Sequence, residues 1–470
     1  MLPSCVARRA LAAEGADVNY LTHPAVHTAN VAGRKKTQIV VVGGGAGGLE
    51  LVARLGAEFG RQSFDIILVD RNKTHIWKPL LHEVATGSLD ANLDEVGYRS
   101  HAYRWGYRFF DGTLESIDRD AGQIVTAPLL DEDGSEIVGR HRIRFDYLVL
   151  AVGSVSNDFG TPGVREHCIL LDDRSQADRF RQKLLNQCLR VSRMMTANPQ
   201  ADEHVNIVIV GGGATGVELA AELYNAAAAL GYYGLEVFDE TRLKVTLIEA
   251  GPRILPALPE KLALAAHDEL KALGIDVRVN TKVTEVTAAG VRTADGSLVP
   301  GDLNVWAAGV KGAEFLANIG GLETNRNNQL VVYPSLQTTR DERIFAIGDC
   351  CAVPAASGDG RLVPPRAQAA HQMAATVFHN IKARIYRKSL RPFVYKDHGS
   401  LVSLSRFSTV GSLMGNLIGG RMAIEGRLAR LVYLSLYRMH LIGIHGWLKG
   451  ATLIAVGHVN QVIRPKLKLH

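Results

Sequence analysis

Gln38–Leu55 reads QIVVVGGGAGGLELVARL, and Asn206–Leu223 reads NIVIVGGGATGVELAAEL, nearly the same phrase a second time. Each opens on an Ile/Val run without polar alternation, the pattern of a strand buried on both faces of a parallel sheet. Each then turns through glycines into Ala, Leu and Glu, residues that favour helix. Further buried-strand runs fall at Asp65–Val69, Tyr147–Val152, Lys244–Glu249, Leu303–Ala307 and Ile344–Ile347. Strands alternating with helices predict an α/β fold with two Rossmann-like units.

Gly43, Gly45 and Gly48 form G-x-G-x-x-G after the first strand, and Gly211, Gly213 and Gly216 repeat it after the second. The first glycine permits a tight turn, the second lets backbone approach a pyrophosphate, and the third lets helix pack on strand. The pyrophosphate then rests on the positive end of the helix. One triad is weak evidence; two, each between a strand and a helix, predict two dinucleotide sites. Each site also needs a carboxylate for the ribose hydroxyls. Asp70 stands 22 residues beyond Gly48, near the usual spacing, whereas Glu249 stands 33 beyond Gly216. Asn225–Thr241 reads as an extended helix and loop that absorbs the difference. A carboxylate at Glu249 repels a 2′-phosphate, which favours NADH over NADPH.

Two such sites point to one bound flavin dinucleotide and one exchangeable nicotinamide. FAIGDCC, Phe345–Cys351, ends a strand on Gly348 and Asp349, placing a carboxylate for the ribityl hydroxyls of FAD. Pro364 and Pro365 then precede RAQAAHQMA, and prolines favour a helix start. That helix end, aimed at the flavin, favours negative charge on the ring.

The 470 residues suggest about three structural units. We assign 1–35 to a disordered extension or misplaced start, 36–155 and 311–390 to an FAD domain, 156–310 to an inserted NADH domain, and 391–470 to a membrane-associating region. At 47% hydrophobic and 21% charged, the chain is neither disordered nor fibrous. The net charge is +6, yet eight basic residues against the single acid Glu425 lie from Arg421 onward. In that tail Leu428, Leu431, Val432, Ser435, Leu436, Met439 and Ile442 recur at helical spacing, with arginines between them. An amphipathic basic helix reads as an anchor on anionic lipid. Apolar residues dominate between the charges, so nucleic acid is not an expected partner. No uncharged run reaches the length of a membrane span. Five cysteines without a CxxC pair give no disulfide framework, dithiol or metal site.

The strings HIWKPLLHEVATGSLD (His75–Asp90), GGGATGVELAAEL, ERIFAIGDC, PPRAQAAHQMA and LYRMHLIGIHG resemble those of bacterial type II NADH dehydrogenases, single-subunit NADH:quinone oxidoreductases. The resemblance runs from about Lys36 to His470. It implies non-covalent FAD on the first unit and Asp349, and NADH on the second unit and Glu249. It also implies a quinone pocket near Gln368, His371 and Gln372, and peripheral attachment to the cytoplasmic face of the inner membrane. Lys78, Gly153, Ala367 and Gly309 join the expected cofactor-binding set. Position 70 is aspartate where many relatives have glutamate, a shorter reach for the same hydrogen bonds.

The implied reaction delivers hydride from NADH to flavin N5 and then two electrons to quinone, without proton pumping. Glu218, Gln368 and Gln372 are the catalytic candidates. Glu218 would position substrate or handle protons, or else simply place charge at a helix start. Gln368 and Gln372, four apart on one helix face, would offer hydrogen bonds to quinone carbonyls, or else form a solvated face. His82, Glu83 and Glu222 read as structural. A sulfide:quinone oxidoreductase, casting Cys168 and Cys350 as reactive, is the rival enzyme. A non-enzymatic NADH-sensing flavoprotein is the rival of another class, and a homodimer is left open.

Overall fold

The computed structural model describes residues 36–60, 63–230, 240–355, 360–404, 408–415, 420–425 and 441–463. The extension at 1–35, the helical spacing from Leu428 to Met439, and Arg464, Lys466 and Lys468 lie outside the described residues.

Thr37–Val42 and Val205–Val210, the two Ile/Val runs, each sit at the centre of a five-stranded parallel sheet. The first sheet runs Ile344–Ala346, Tyr147–Leu150, Thr37–Val42, Phe64–Asp70, Arg108–Asp111. The second runs Cys168–Ile169, Leu303–Trp306, Val205–Val210, Leu243–Ile248, Asp276–Arg278. A central strand has both faces covered, which is why Ile39, Val40, Val41, Val208 and Ile209 are all buried. Each such side chain contributes roughly 1.5–3 kcal/mol by leaving water. All seven strands expected from apolar runs form. The α/β fold with two Rossmann-like sheets is what the sequence predicts.

Register then sets the chemistry. Val42 pairs with both Leu150 and Val69, so Gly43, Ala151 and Asp70 meet at one carboxyl edge of the first sheet. Val210 pairs with Trp306 and Ile248, which brings Gly211, Ala307 and Glu249 together at the second. Ligands of open α/β sheets bind at such edges.

Helix Ala46–Phe59 follows the first glycines, and helix Ala367–Ile385 packs along it. A Cβ on Gly47 would stand 2.9 Å from the Ala370 carbonyl, so the helices nearly touch there. The short helix Leu81–Thr86 packs on helices Arg174–Ala197 and Ala214–Leu230. Later strands Gly399–Leu404, Ser408–Gly415 and Gly420–Glu425 make an antiparallel meander. Its Val402 and Leu404 are buried with the second core. Helix Trp447–Ile463 is the last described element. Just before it, Ile444 is fully buried in the first core. Among the described residues, no helix is long and apolar enough to cross a membrane.

Candidate active site: two glycine cradles and a buried carboxyl

The three glycines of each triad serve distinct purposes. Gly43 and Gly211 adopt φ of +102° and +114°, and a Cβ there would meet Ala151 and Ala307 backbone near 2.5 Å. On Gly48 and Gly216 a Cβ would press the Gly43 and Gly211 carbonyl oxygens at 1.9 and 2.0 Å, so helix closeness forbids it. Gly45 and Gly213 differ: a Cβ on either would meet nothing within 4 Å. Folding does not require glycine there, and the bare backbone leaves room for a ligand to approach closely. Gly45 caps the first helix without a side-chain hydrogen bond, and no acid occupies the first turn. Its N–H groups are therefore presented to an anion.

The two acids sit alike. Asp70 Oδ2 accepts from Gly44 N at 2.6 Å, and Oδ1 from Asn72 N at 2.7 Å. Glu249 Oε2 accepts from Gly212 N at 2.7 Å, and Oε1 from Gly251 N at 2.7 Å. Each carboxylate ties its strand end to its own glycine turn, so the longer interval before Glu249 does not displace it. Part of that interval is helix: Ala214–Leu230 has 17 residues against 14 in Ala46–Phe59. Burial pushes the Asp70 carboxyl up, against the backbone hydrogen bonds it accepts.

Asp349 follows Ile344–Ala346, the outer strand beside Tyr147–Leu150. Its Oδ2 accepts from Ser154 Oγ at 2.9 Å, and Lys78 Nζ donates to the Ser154 carbonyl at 3.1 Å. Burial raises the Asp349 carboxyl, with the Ser154 hydroxyl and the Lys78 charge opposing it. Gly153, at φ +71°, has open space where a Cβ would stand, and Gly309, at φ +142°, borders the Phe159 ring. Lys78, Gly153 and Asp349 thus gather at the first edge, Gly309 at the second. Ala367 begins its helix behind Arg366, with Pro364 and Pro365 in the extended approach rather than in the first turn.

Glu218 lies past the first turn of the second glycine helix, which holds no acid in that turn. The helix dipole falls off within one turn, so charge placement at the helix end does not account for it. Its side chain is 8% exposed. Oε1 accepts from Ser403 N at 3.1 Å, and Oε2 faces His82 Nδ1 at 3.8 Å. Burial pushes this carboxyl up to about 8, against the Ser403 bond and with Glu83 adding to the rise. At neutral pH it is largely the acid.

Gln368 and Gln372 are spoken for by backbone. Gln372 accepts from Lys396 N at 2.9 Å and donates to the Lys396 carbonyl at 2.8 Å. Gln368 accepts from His398 N at 3.2 Å and donates to the Gly399 carbonyl at 3.0 Å. Together they hold the segment leading into Gly399–Leu404, the strand whose Ser403 reaches Glu218. His371, between them, turns the other way, its Nδ1 against the buried Glu50 carboxyl.

The residues from 37 to 374 match the family model described as pyridine nucleotide-disulphide oxidoreductase. The chain is 48% identical over 443 residues to the type II NADH:quinone oxidoreductase of Haemophilus influenzae, covering 92% of this chain and 99% of that one. It belongs to the type II NADH:quinone oxidoreductases. A second family member, from Staphylococcus aureus, is 30% identical over 83% of this chain and 92% of its own length. In fold, this type II enzyme is similar to NDH2 from Plasmodium falciparum in complex with NADH, with TM-score 0.76 at 17% identity, over 92% of this chain and 100% of that one. It is also similar to the sulfide:quinone oxidoreductase of Aquifex aeolicus, with TM-score 0.65 at 20% identity, over 91% and 95%.

Sequence reading of this type II enzyme passed over Ser403 and Ser154 and left His82 as structural. Ser403 acts through its backbone N–H, which any residue but proline supplies, so no side-chain signal marks it. His82 sits inside HIWKPLLHEVATGSLD, whose helix face only the packing reveals.

Proposed function

We propose that this chain is a peripheral membrane NADH:quinone oxidoreductase of the non-pumping, respiratory kind. The observation that carries the reading is the doubled cradle, in which one glycine of each triad has open space where a Cβ would stand, room for a ligand that the fold itself does not use. Gly43, Gly45, Gly48, Asp70, Lys78, Gly153, Asp349 and Ala367 would hold FAD. Gly211, Gly213, Gly216, Glu249 and Gly309 would hold NADH. Bound FAD supplies the chemistry, accepting hydride from NADH and passing the electron pair to quinone.

The chain's own residues orient and gate. Asp70 and Glu249 each keep a glycine turn in place while presenting a carboxylate to ribose, and Glu249 repels the extra phosphate of NADPH. Glu218, protonated and shielded from water, holds a proton for the quinone oxygen. Gln368 and Gln372 brace the wall beside it through Lys396–Gly399. The quinone approaches from a bilayer on the cytoplasmic side, where helix Trp447–Ile463 with Trp447 70% exposed supports attachment to anionic lipid.

The sulfide:quinone alternative meets an obstacle in the thiols. Burial pushes both Cys168 and Cys350 up to about 12, and Cys350 is engaged with the Leu150 and Ile347 carbonyls. Neither is the thiolate that sulfur chemistry needs. Anaerobic titration of the yellow protein with NADH, followed by a soluble quinone, tests the proposal. We expect the flavin absorbance to bleach and then recover. A spectrum unmoved by NADH overturns the reading, and also leaves only binding roles for the fold.

A further inference from the structure

We propose that His82 is a proton relay joining solvent-facing Glu83 to buried Glu218. The inference rests on the reading of Glu218 as the proton holder and adds how that holder is refilled. The overall reaction consumes NADH, one proton and quinone, and yields NAD⁺ and quinol. Hydride carries both electrons and one proton, so the second proton comes from water in every turnover. With its side chain 8% exposed, Glu218 is poorly placed to take that proton from bulk itself.

His82 occupies the gap. Its ring is 4% exposed, with Nδ1 3.8 Å from Glu218 Oε2 and Nε2 3.9 Å from Glu83 Oε1. The Glu83 side chain is 27% exposed, so this row of three groups reaches from solvent to the buried acid. Imidazole can accept a proton on one nitrogen and release one from the other. Both gaps exceed hydrogen-bond length by about 1 Å. Such contacts are often long in ligand-free proteins and tighten with substrate.

The surroundings suit transfer rather than storage. Glu222, one turn beyond Glu218, lends the ring negative potential. Glu222 is itself held by Ser88 and by Asn225 Nδ2 at 2.6 Å. Burial lowers the ring to about 4, so it rests neutral and does not trap the proton. Loss of the Glu218 proton creates a neighbouring negative charge that draws the next one inward.

Infrared spectroscopy of the FAD-loaded enzyme tests this without NADH or quinone. In wild type at neutral pH we expect a protonated-carboxyl band, absent in Glu218→Gln, that shifts as its proton exchanges after mixing into D₂O. In His82→Phe the shift should slow at least tenfold, and added imidazole should restore it. His82→Gln, nearer in polarity, serves as the second variant, and flavin content shows that each has folded. Wild-type exchange rates in both His82 variants would overturn the relay while leaving Glu218 its role. Failure of Glu218→Gln to remove any band would overturn the underlying reading and the relay with it.

Discussion

His371 Nδ1 is hydrogen-bonded to Glu50 Oε2 although 321 residues separate the two. The contact fastens helix Ala367–Ile385 to helix Ala46–Phe59, and so fixes the later helix over the first dinucleotide cradle. Burial opposes ionisation of Glu50, but His371 and Arg54 outweigh it and hold the carboxyl below its usual value of 4.5. A carboxyl lowered by folding stabilises above its unfolded pKa and loses that contribution as pH falls through its folded one. Wild type should therefore weaken below pH ~4.5, with Glu50→Gln lacking this component. His371→Ala leaves the buried Glu50 carboxyl one hydrogen-bond partner short and should cost about 1–3 kcal/mol. Urea unfolding at several pH values measures both.

The glycines of one triad should separate stability from binding. Gly213→Ala meets nothing in the protein, so the thermal midpoint should hold while the NADH KM rises at least tenfold. Gly216→Ala forces a Cβ against the Gly211 carbonyl at 2.0 Å and should lower the midpoint by several degrees. Calorimetry beside steady-state kinetics distinguishes them. Equal loss of stability in both would mean that the second glycine serves the fold.

Glu218 should leave its mark on the pH profile. The quinone-reducing step should slow as pH rises through about 8, where burial places its loss of a proton. Glu218→Gln should be slower by about 10²-fold, a usual size for general acid catalysis, and flat over this range. Stability carries the same sign: a raised carboxyl penalises the fold increasingly between its unfolded value and about 8. Glu218→Gln should then be the more stable protein at alkaline pH. A profile unaltered by the substitution would remove Glu218 from the proton chemistry.

Glu249 should govern the choice of nicotinamide cofactor. Glu249→Gln keeps one acceptor for the glycine turn but drops the charge facing the ribose. We expect a raised KM for NADH and a lowered KM for NADPH, read from initial rates with each. An unchanged ratio would place the discrimination elsewhere.

The end of the chain should divide at Gly446. Ile444 is fully buried, and its carbonyl lies 2.8 Å from His101 Nε2. A truncation that removes it should destabilise by about 2–5 kcal/mol, the range for emptying a large apolar site. Ending the chain at Gly446 should spare the fold and release the enzyme from vesicles of anionic lipid. Sedimentation with such vesicles measures release, and full retention would place attachment in another element.

Much of this molecule was legible in the chain because its signals are local. Buried parallel strands need unbroken Ile and Val, a cradle needs glycines two and then three residues apart, and ribose needs an acid at the next strand's end. Those demands fix Thr37–Val42, Val205–Val210, both triads, Asp70 and Glu249 without reference to anything distant. The anomalous interval before Glu249 was harmless for the same reason: a strand end is set by pairing, not by the length of helix before it.

What sequence could not decide is which face each polar side chain shows. Gln368 and Gln372 share a helix face, but only the path of Lys396–Gly399 across it reveals that their amides hold backbone. Glu218 was visible as an acid after a glycine motif, yet its standing as a neutral acid comes from burial beneath Ser403. His82 reads as one more polar residue in a short helix until two helices from elsewhere close around it. Proton affinity depends on water exclusion and neighbouring charge, and both arise from segments brought together over long sequence distances.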